Sequence, residues 1–228
     1  MTGPPPTSAL APSELVLRFL ASIGRPAEAE QYLALFRSEH PERFAIIHVA
    51  EAVLDQAADA LVVDLRFLAE LGLCPVIAFG AVKARPAARQ AARVRELLAP
   101  FAACAVCSPD DVRAAARGGA IALVPAVNPA ALPGNDEDGR ADDDGRGVDV
   151  PAVDARFDAL AELATRLGSP KIVFLGRRSG LQPRDGRVVS LLDVTTELDE
   201  FLAPGLLPAH QAALLRQIAR IMRRVPHP

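Results

Sequence analysis

The stretch Phe44–Leu54, FAIIHVAEAVL, has the layout of a phosphate-binding element but not its residues. The apolar run reads as a buried parallel strand that enters a turn and then a helix. Such an element holds phosphate when glycines in the turn expose their backbone N–H groups and a lysine stands just before them. Here the turn offers His48, Ala50 and Glu51. A second place for chemistry is CAVC, where Cys104 and Cys107 have redox or metal-ligand spacing. No second pair accompanies them, and the surrounding FAACAVC is hydrophobic, so they read as buried core cysteines. Of the four histidines, His40 and His227 fall in segments expected to be exposed, and His210 starts the last helix.

The elements that must position these residues follow from periodicity. Residues 1–12 are proline-rich and expected to be flexible. SELVLRFLASIG reads as a helix with Ser13 as its cap, an apolar stripe of Leu15, Val16, Phe19, Leu20 and Ile23, and Gly24 as its stop. RPAEAEQYLALFRSE reads as a second helix with Pro26 in its first turn, so residues 13–40 form a helical hairpin. From residue 41 onward the pattern alternates. Strands are expected at Phe44–Val49, Pro75–Phe79, Phe101–Val106, Ala120–Val124 and Lys171–Leu175, with a sixth at Val188–Leu192. Between them, DQAADALVVDLRFLAELG, RPAARQAARVRELLA, PDDVRAAARGG and DARFDALAELATRLG have helical spacing, and the chain ends on LPAHQAALLRQIARIMRRVP. The alternation predicts an α/β fold, an open and mainly parallel sheet with helices on both faces. The acidic, glycine-rich stretch 133–147, PGNDEDGRADDDGRG, is expected to be a disordered loop inserted within that domain.

Composition narrows the function. The chain has 228 residues, half of them hydrophobic, enough for one substantial core. A net charge of −3, one tyrosine and no tryptophan argue against nucleic acid as a partner. No run approaches the roughly 18 apolar residues of a membrane span, and the N-terminus lacks a signal-peptide pattern. Three cysteines make no disulfide framework, which points to the reducing cytoplasm.

The order of these blocks resembles the amino-acid kinase family. More narrowly, it is similar to the kinase domain of bifunctional N-acetylglutamate synthase/kinases and to arginine-regulated acetylglutamate kinases. In that group a helical pair precedes a strand of the type FAVVKVGGAVL, and here FLASIGRPAEAEQYLALFRSEHPERFAIIHVAEAVL stands in its place. LRFLAELGLCPVIAFGAVKAR resembles the family's LxFLxxLGLxPIVVHGAGPQ, and SPKIVFLGRRSGLQPRDGRVVSLLDVTTE resembles PxKIIFLTxxGGLxDxDGxxISxINLxxE. ALLRQIARIMRRVP resembles LKLEQIxxLLDRLP at the end. The likeness covers roughly residues 13–100 and 155–226, with a short, weakly matching middle, and the synthases' acetyltransferase domain is not expected here.

The resemblance implies transfer of the ATP γ-phosphate, with magnesium, to the carboxylate of N-acetyl-L-glutamate. That chemistry needs an in-line arrangement and cations that neutralise the migrating charge. Carried over by position, the family's two lysines fall on His48 and Leu214, and its paired glycines on Ala50 and Glu51. Histidine is mostly neutral at pH 7, a side chain blocks close backbone approach, and a carboxylate repels phosphate. Gly80 and Ala81 match the second glycine loop, the family's histidine there becomes Phe79, and the next glycine becomes Val82. Lys83 and Arg85, or Arg177 and Arg178 in the nucleotide-loop position, are the replacement cations to consider. Gly180 and Asp185 complete the phosphate candidates, although Asp185-Gly186 is equally a hairpin turn. The acceptor's asparagine–alanine–aspartate stretch falls near VDARFDA, where Asp154 and Asp158 suit an exposed helix face. Glu197 lies in the region of the arginine site and is the effector-binding candidate. Losing one such cation costs on the order of 10³-fold in phosphoryl transfer. The expectation is therefore a catalytically impaired regulatory or assembly subunit linked to arginine biosynthesis. It would be homo- or hetero-oligomeric through the N-terminal helices, with arginine or N-acetylglutamate as its ligand. The alternative is an active acetylglutamate kinase with rearranged cations.

Overall fold

Five short runs of β-branched and other apolar residues pair into one parallel sheet, in the order β3-β4-β2-β1-β5. They are β1 (Ile46–Val49), β2 (Val76–Ala78), β3 (Cys104–Val106), β4 (Ile121–Val124) and β5 (Ile172–Leu175). The computed structural model describes residues 45–70, 73–81, 87–125, 150–169, 171–176, 180–189 and 192–225. The expected N-terminal hairpin and the acidic insertion at 133–147 lie outside them.

The helices among the described residues are α1 (Glu51–Gln56), α2 (Ala58–Glu70), α3 (Ala87–Leu98), α4 (Val112–Arg117), α5 (Val150–Leu167), α6 (Leu198–Phe201) and α7 (Ala209–Arg224). Because strand side chains alternate between faces, each strand supplies two cores. Ile47, Val49, Ile77, Phe79, Ile121 and Leu123 pack against α1, α2 and α3. Ile46, Val76, Ala78, Ala122 and Val124 pack on the other face against α4, α5 and α7. The chain crosses the first face through α2 and α3 to reach β2 and β3, then returns over the second face through α4 and α5 to β4 and β5. Moving one way over one face and back over the other keeps each crossover right-handed.

The central strands β1, β2 and β4 are buried on both faces, which explains their apolar runs, broken only by His48 in β1. Edge strands β3 and β5 are only half-buried. That corrects the sequence reading of CAVC as buried core: Cys104 and Cys107 are half-buried free thiols on the edge. The expected single helix from residue 55 is also two helices. Ala57, at φ −143° and ψ 30°, ends α1, and its carbonyl then accepts from Leu61 as α2 begins. In the proposed sixth strand, Val188, Val189 and Leu192 lie in no strand. Val188 is exposed, and the Val189 N–H donates to the Leu181 carbonyl in a loop.

Candidate functional site

In an open parallel sheet, ligands are held outside the carboxyl ends of strands whose following segments leave toward opposite faces. After β1 and β2 the chain passes to the α2–α3 face, whereas β4 and β5 lead to the face carrying α5 and α7. The place where a ligand is expected therefore runs over the ends of β4, β2, β1 and β5. It is flanked by His48–Glu51, Phe79–Ala81 and Gly176.

His48 stands opposite Ala78 of β2 and Phe174 of β5, on the α5 face. It is only 3% exposed. Its ring lies 5.6 Å from that of Phe174, which in turn stacks on Phe157 of α5 at 5.9 Å. Among the described residues it has no hydrogen-bond partner. Burial penalises the imidazolium and pulls the pKa down to about 4. At neutral pH the first lysine position thus holds an uncharged ring. Ala50 N–H donates to the Leu175 carbonyl and Ala50 is extended before α1, so this amide is spent joining β5 rather than facing a ligand. Glu51 opens the first turn of α1, where the carboxylate complements the helix dipole and opposes a second anion.

The second loop is closer to expectation. Gly80 is buried with φ 85°, a left-handed conformation that a side chain resists, and Ala81 is fully buried beside it. The Ala81 carbonyl accepts from Arg156 Nε at 3.1 Å. Sequence reasoning missed Arg156 because it lies 75 residues away, on a helix examined only for its carboxylates. Lys83, Arg85, Arg177 and Arg178 lie outside the described residues.

At the second lysine position, Leu214 sits on α7 and packs against the core of the α5 face. Asp154 and Asp158 are not on a free face as expected. Arg220 Nη1 reaches Asp154 Oδ2 at 2.6 Å, and its Nε and Nη2 clasp both Asp158 oxygens at 2.7 and 2.6 Å. Arg224 adds a contact to Asp158 at 2.5 Å, and Gln217 donates to Asp154. Partial desolvation raises the Asp158 carboxyl, but the hydrogen bonds from Arg220 and Arg224 outweigh it and hold it below the usual range. These carboxylates bind α7 to α5 and are not turned toward an acceptor.

The remaining candidates serve local structure. Gly180 adopts φ 126° and is exposed. Asp185 accepts from the Arg187 N–H at 3.1 Å, while Gly186 N–H donates to the Pro183 carbonyl at 2.9 Å, closing a turn. Glu197 Oε2 accepts from the Asp193 N–H at 2.8 Å, and Asp193 accepts from the Thr195 N–H at 2.7 Å, an arrangement that braces the entry to α6. Burial pushes the Cys104 thiol up to about 11 and raises Cys107 as well, so neither is a ready thiolate. Among the described residues, the family's cation and glycine positions hold a neutral ring, a leucine packed on the core and a carboxylate, none of which supplies the positive charge or bare amide that a magnesium triphosphate would need.

No family model matches the chain. It is similar to Protein arg-6, mitochondrial, of Neurospora crassa, 43% identical over 67 residues, or 29% of this chain and 8% of that protein. It is likewise similar to Protein arg11, mitochondrial, of Schizosaccharomyces pombe, 43% identical over 68 residues, again 8% of that protein. The likeness to the acetylglutamate kinase of Xanthomonas campestris extends further, 26% identical over 239 aligned residues, covering 87% of this chain and 56% of the kinase. The chain thus spans a small part of the fungal proteins and about half of the bacterial one. It resembles the amino-acid kinase family, and its parallel α/β sheet accords with that resemblance.

Proposed function

We propose that this chain is an acetylglutamate-kinase-like protein of arginine biosynthesis that has lost phosphoryl transfer and serves as a regulatory or assembly subunit. The observation that carries this reading is His48: buried and neutral where the related kinases have a cation. Leu214, engaged in packing at the second lysine position, supports it. So does the ion cluster that ties up Asp154 and Asp158. With no cation at His48 or at Leu214, a migrating phosphoryl group finds no positive charge at the family's two lysine positions.

The reading expects no nucleotide requirement, and arginine or N-acetylglutamate acting, where either binds, as a ligand rather than a substrate. A coupled assay with ATP, magnesium and N-acetylglutamate tests it, run beside thermal-shift measurements with each compound. The expected outcome is turnover more than about a hundredfold below that of ordinary kinases and no shift with nucleotide. Turnover within that factor would return the chain to the active kinases.

A further inference from the structure

We propose that the outer edge of β3 is a docking site for an extended segment of another protein, added as a further strand that alternates β-branched with basic side chains. The inference does not depend on the kinase-like reading.

Strand β3 ends the sheet and pairs with β4 alone. The Ala103 carbonyl accepts from the Ile121 N–H at 2.8 Å, and the Cys107 N–H donates to the Leu123 carbonyl at 3.0 Å. Backbone polar groups alternate sides along a strand. Those of Ala103, Ala105 and Cys107 therefore face β4, and those of Cys104 and Val106 face outward. Among the described residues, nothing bonds the N–H or the carbonyl of either Cys104 or Val106. Natural sheet edges are commonly blunted by a lysine or a proline. Residues 103–107 contain neither. Instead Val106 is 42% exposed on this edge, and Phe101, just before it, is 50% exposed.

The two faces of the edge set the chemistry of the occupant. On the α4 side lies a shallow cavity of about 630 Å³, lined by Ala105, Cys107, Ala114, Ala115 and Pro125 together with Asp111. Asp111 accepts from the Ser108 hydroxyl at 2.7 Å and has no cation beside it among the described residues. Its neighbour Asp110 is already paired with Arg166 at 2.5 Å. Burial first, and the Asp111 charge second, hold the Cys107 thiol above its ordinary value, so this carboxylate is felt inside the cavity. An apolar hollow that ends on a carboxylate suits an aliphatic stem with a cationic tip, a lysine or an arginine. On the opposite face Val106 follows Cys104, and a β-branched side chain of an added strand packs beside it. Successive side chains of that strand fall on alternate faces, which gives the alternating pattern. Main-chain bonds supply the affinity and the hollow supplies the selectivity. One added strand buries little area, so binding is weak and reversible.

The test uses the full chain and a fluorescently labelled heptapeptide of alternating valine and lysine, amidated at its carboxyl end. Anisotropy gives the affinity, and two-dimensional NMR follows the amides of Cys104 and Val106. Both amides are expected to shift on titration, and the affinity to fall as salt rises. N-methylation of one alternating set of peptide residues removes the donors that face β3 and should weaken binding on the order of tenfold or more. Methylation of the other set, which faces away, should leave it near the original. In the protein, Val106→Pro deletes an outward N–H and spares the β4 ladder, and should weaken binding by a similar factor. Asp111→Asn should weaken it about two- to fivefold. A peptide of alternating valine and glutamate should bind about tenfold more weakly or worse. Circular dichroism and thermal midpoints matched to the original protein show that each variant is folded, and the methylated peptides test the unaltered chain. Unmoved amides at millimolar peptide overturn the proposal. So does equal binding of the two methylated peptides, of the glutamate peptide, or of a folded Val106→Pro variant. Movement of the same two amides with protein concentration alone would make a second copy of this chain the occupant, and would overturn it too.

Discussion

Protonating His48 would place a positive charge between Ala78 and Phe174 with no hydrogen-bond partner among the described residues to receive it. The folded pKa of about 4 lies below the unfolded value of 6.5, so the unfolded chain binds the proton more readily. This contribution to stability is fully present above pH 6.5 and is lost as pH falls toward 4. Over that window the loss is about 3 kcal/mol. Urea midpoints measured across it should fall for the native chain and stay nearly level for His48→Leu, which removes the titrating group but keeps an apolar side chain. A parallel fall in both proteins would show that another group governs the transition. The sequence told that a histidine replaces a lysine here. It could not tell that the ring is dry, because the residues that dry it, Phe157 and Phe174, lie more than a hundred residues further along the chain.

Helix α7 carries two jobs that its periodicity alone did not separate. One side, through Leu214 and Ile221, meets the α5 face of the sheet. The other, through Leu215 and Ala219, meets a small cluster with Leu198 and Leu207, while Gln211 Oε1 accepts from the Gln182 N–H at 2.7 Å. The apolar stripe was legible, and so were the parallel strands, since a strand covered on both faces is apolar at nearly every position. The order of the strands and the Arg220 clamp were not, because ion pairs across more than sixty residues leave no local pattern. Two measurements separate packing from charge on this element. Leu215→Ala, at a site 1% exposed, should cost about 2–5 kcal/mol in chemical denaturation whatever the salt. Arg220→Met should lower the thermal midpoint in dilute buffer and lower it less in high salt, where the native clamp is already screened. Equal losses at both ionic strengths would mean that the clamp acts through packing.

At the scale of the whole molecule, the scaffold and the chemistry impose different demands, and on the proposed reading this chain meets only the first. A parallel sheet tolerates substitution at its carboxyl ends as long as the strands stay apolar and the turns stay closed. Gly80 keeps its left-handed turn, while Ala50 gives its amide to Leu175. Phosphoryl transfer demands several charges at once, so restoring some of them does not restore the reaction. This leads to a direct expectation for His48→Lys combined with Leu214→Lys. The first lysine enters a space lined by Phe174 and backed by Phe157, and the second replaces a side chain packed on the same core. Both are penalised by desolvation, and Ala50 and Glu51 still occupy the glycine positions. The double variant should therefore unfold at lower urea than the native chain and show no gain in ATP-dependent turnover of N-acetylglutamate in a coupled assay. A gain approaching 10³-fold, on the order of what one lost cation costs in such sites, would mean that the crevice still holds a triphosphate and that charge alone had been missing.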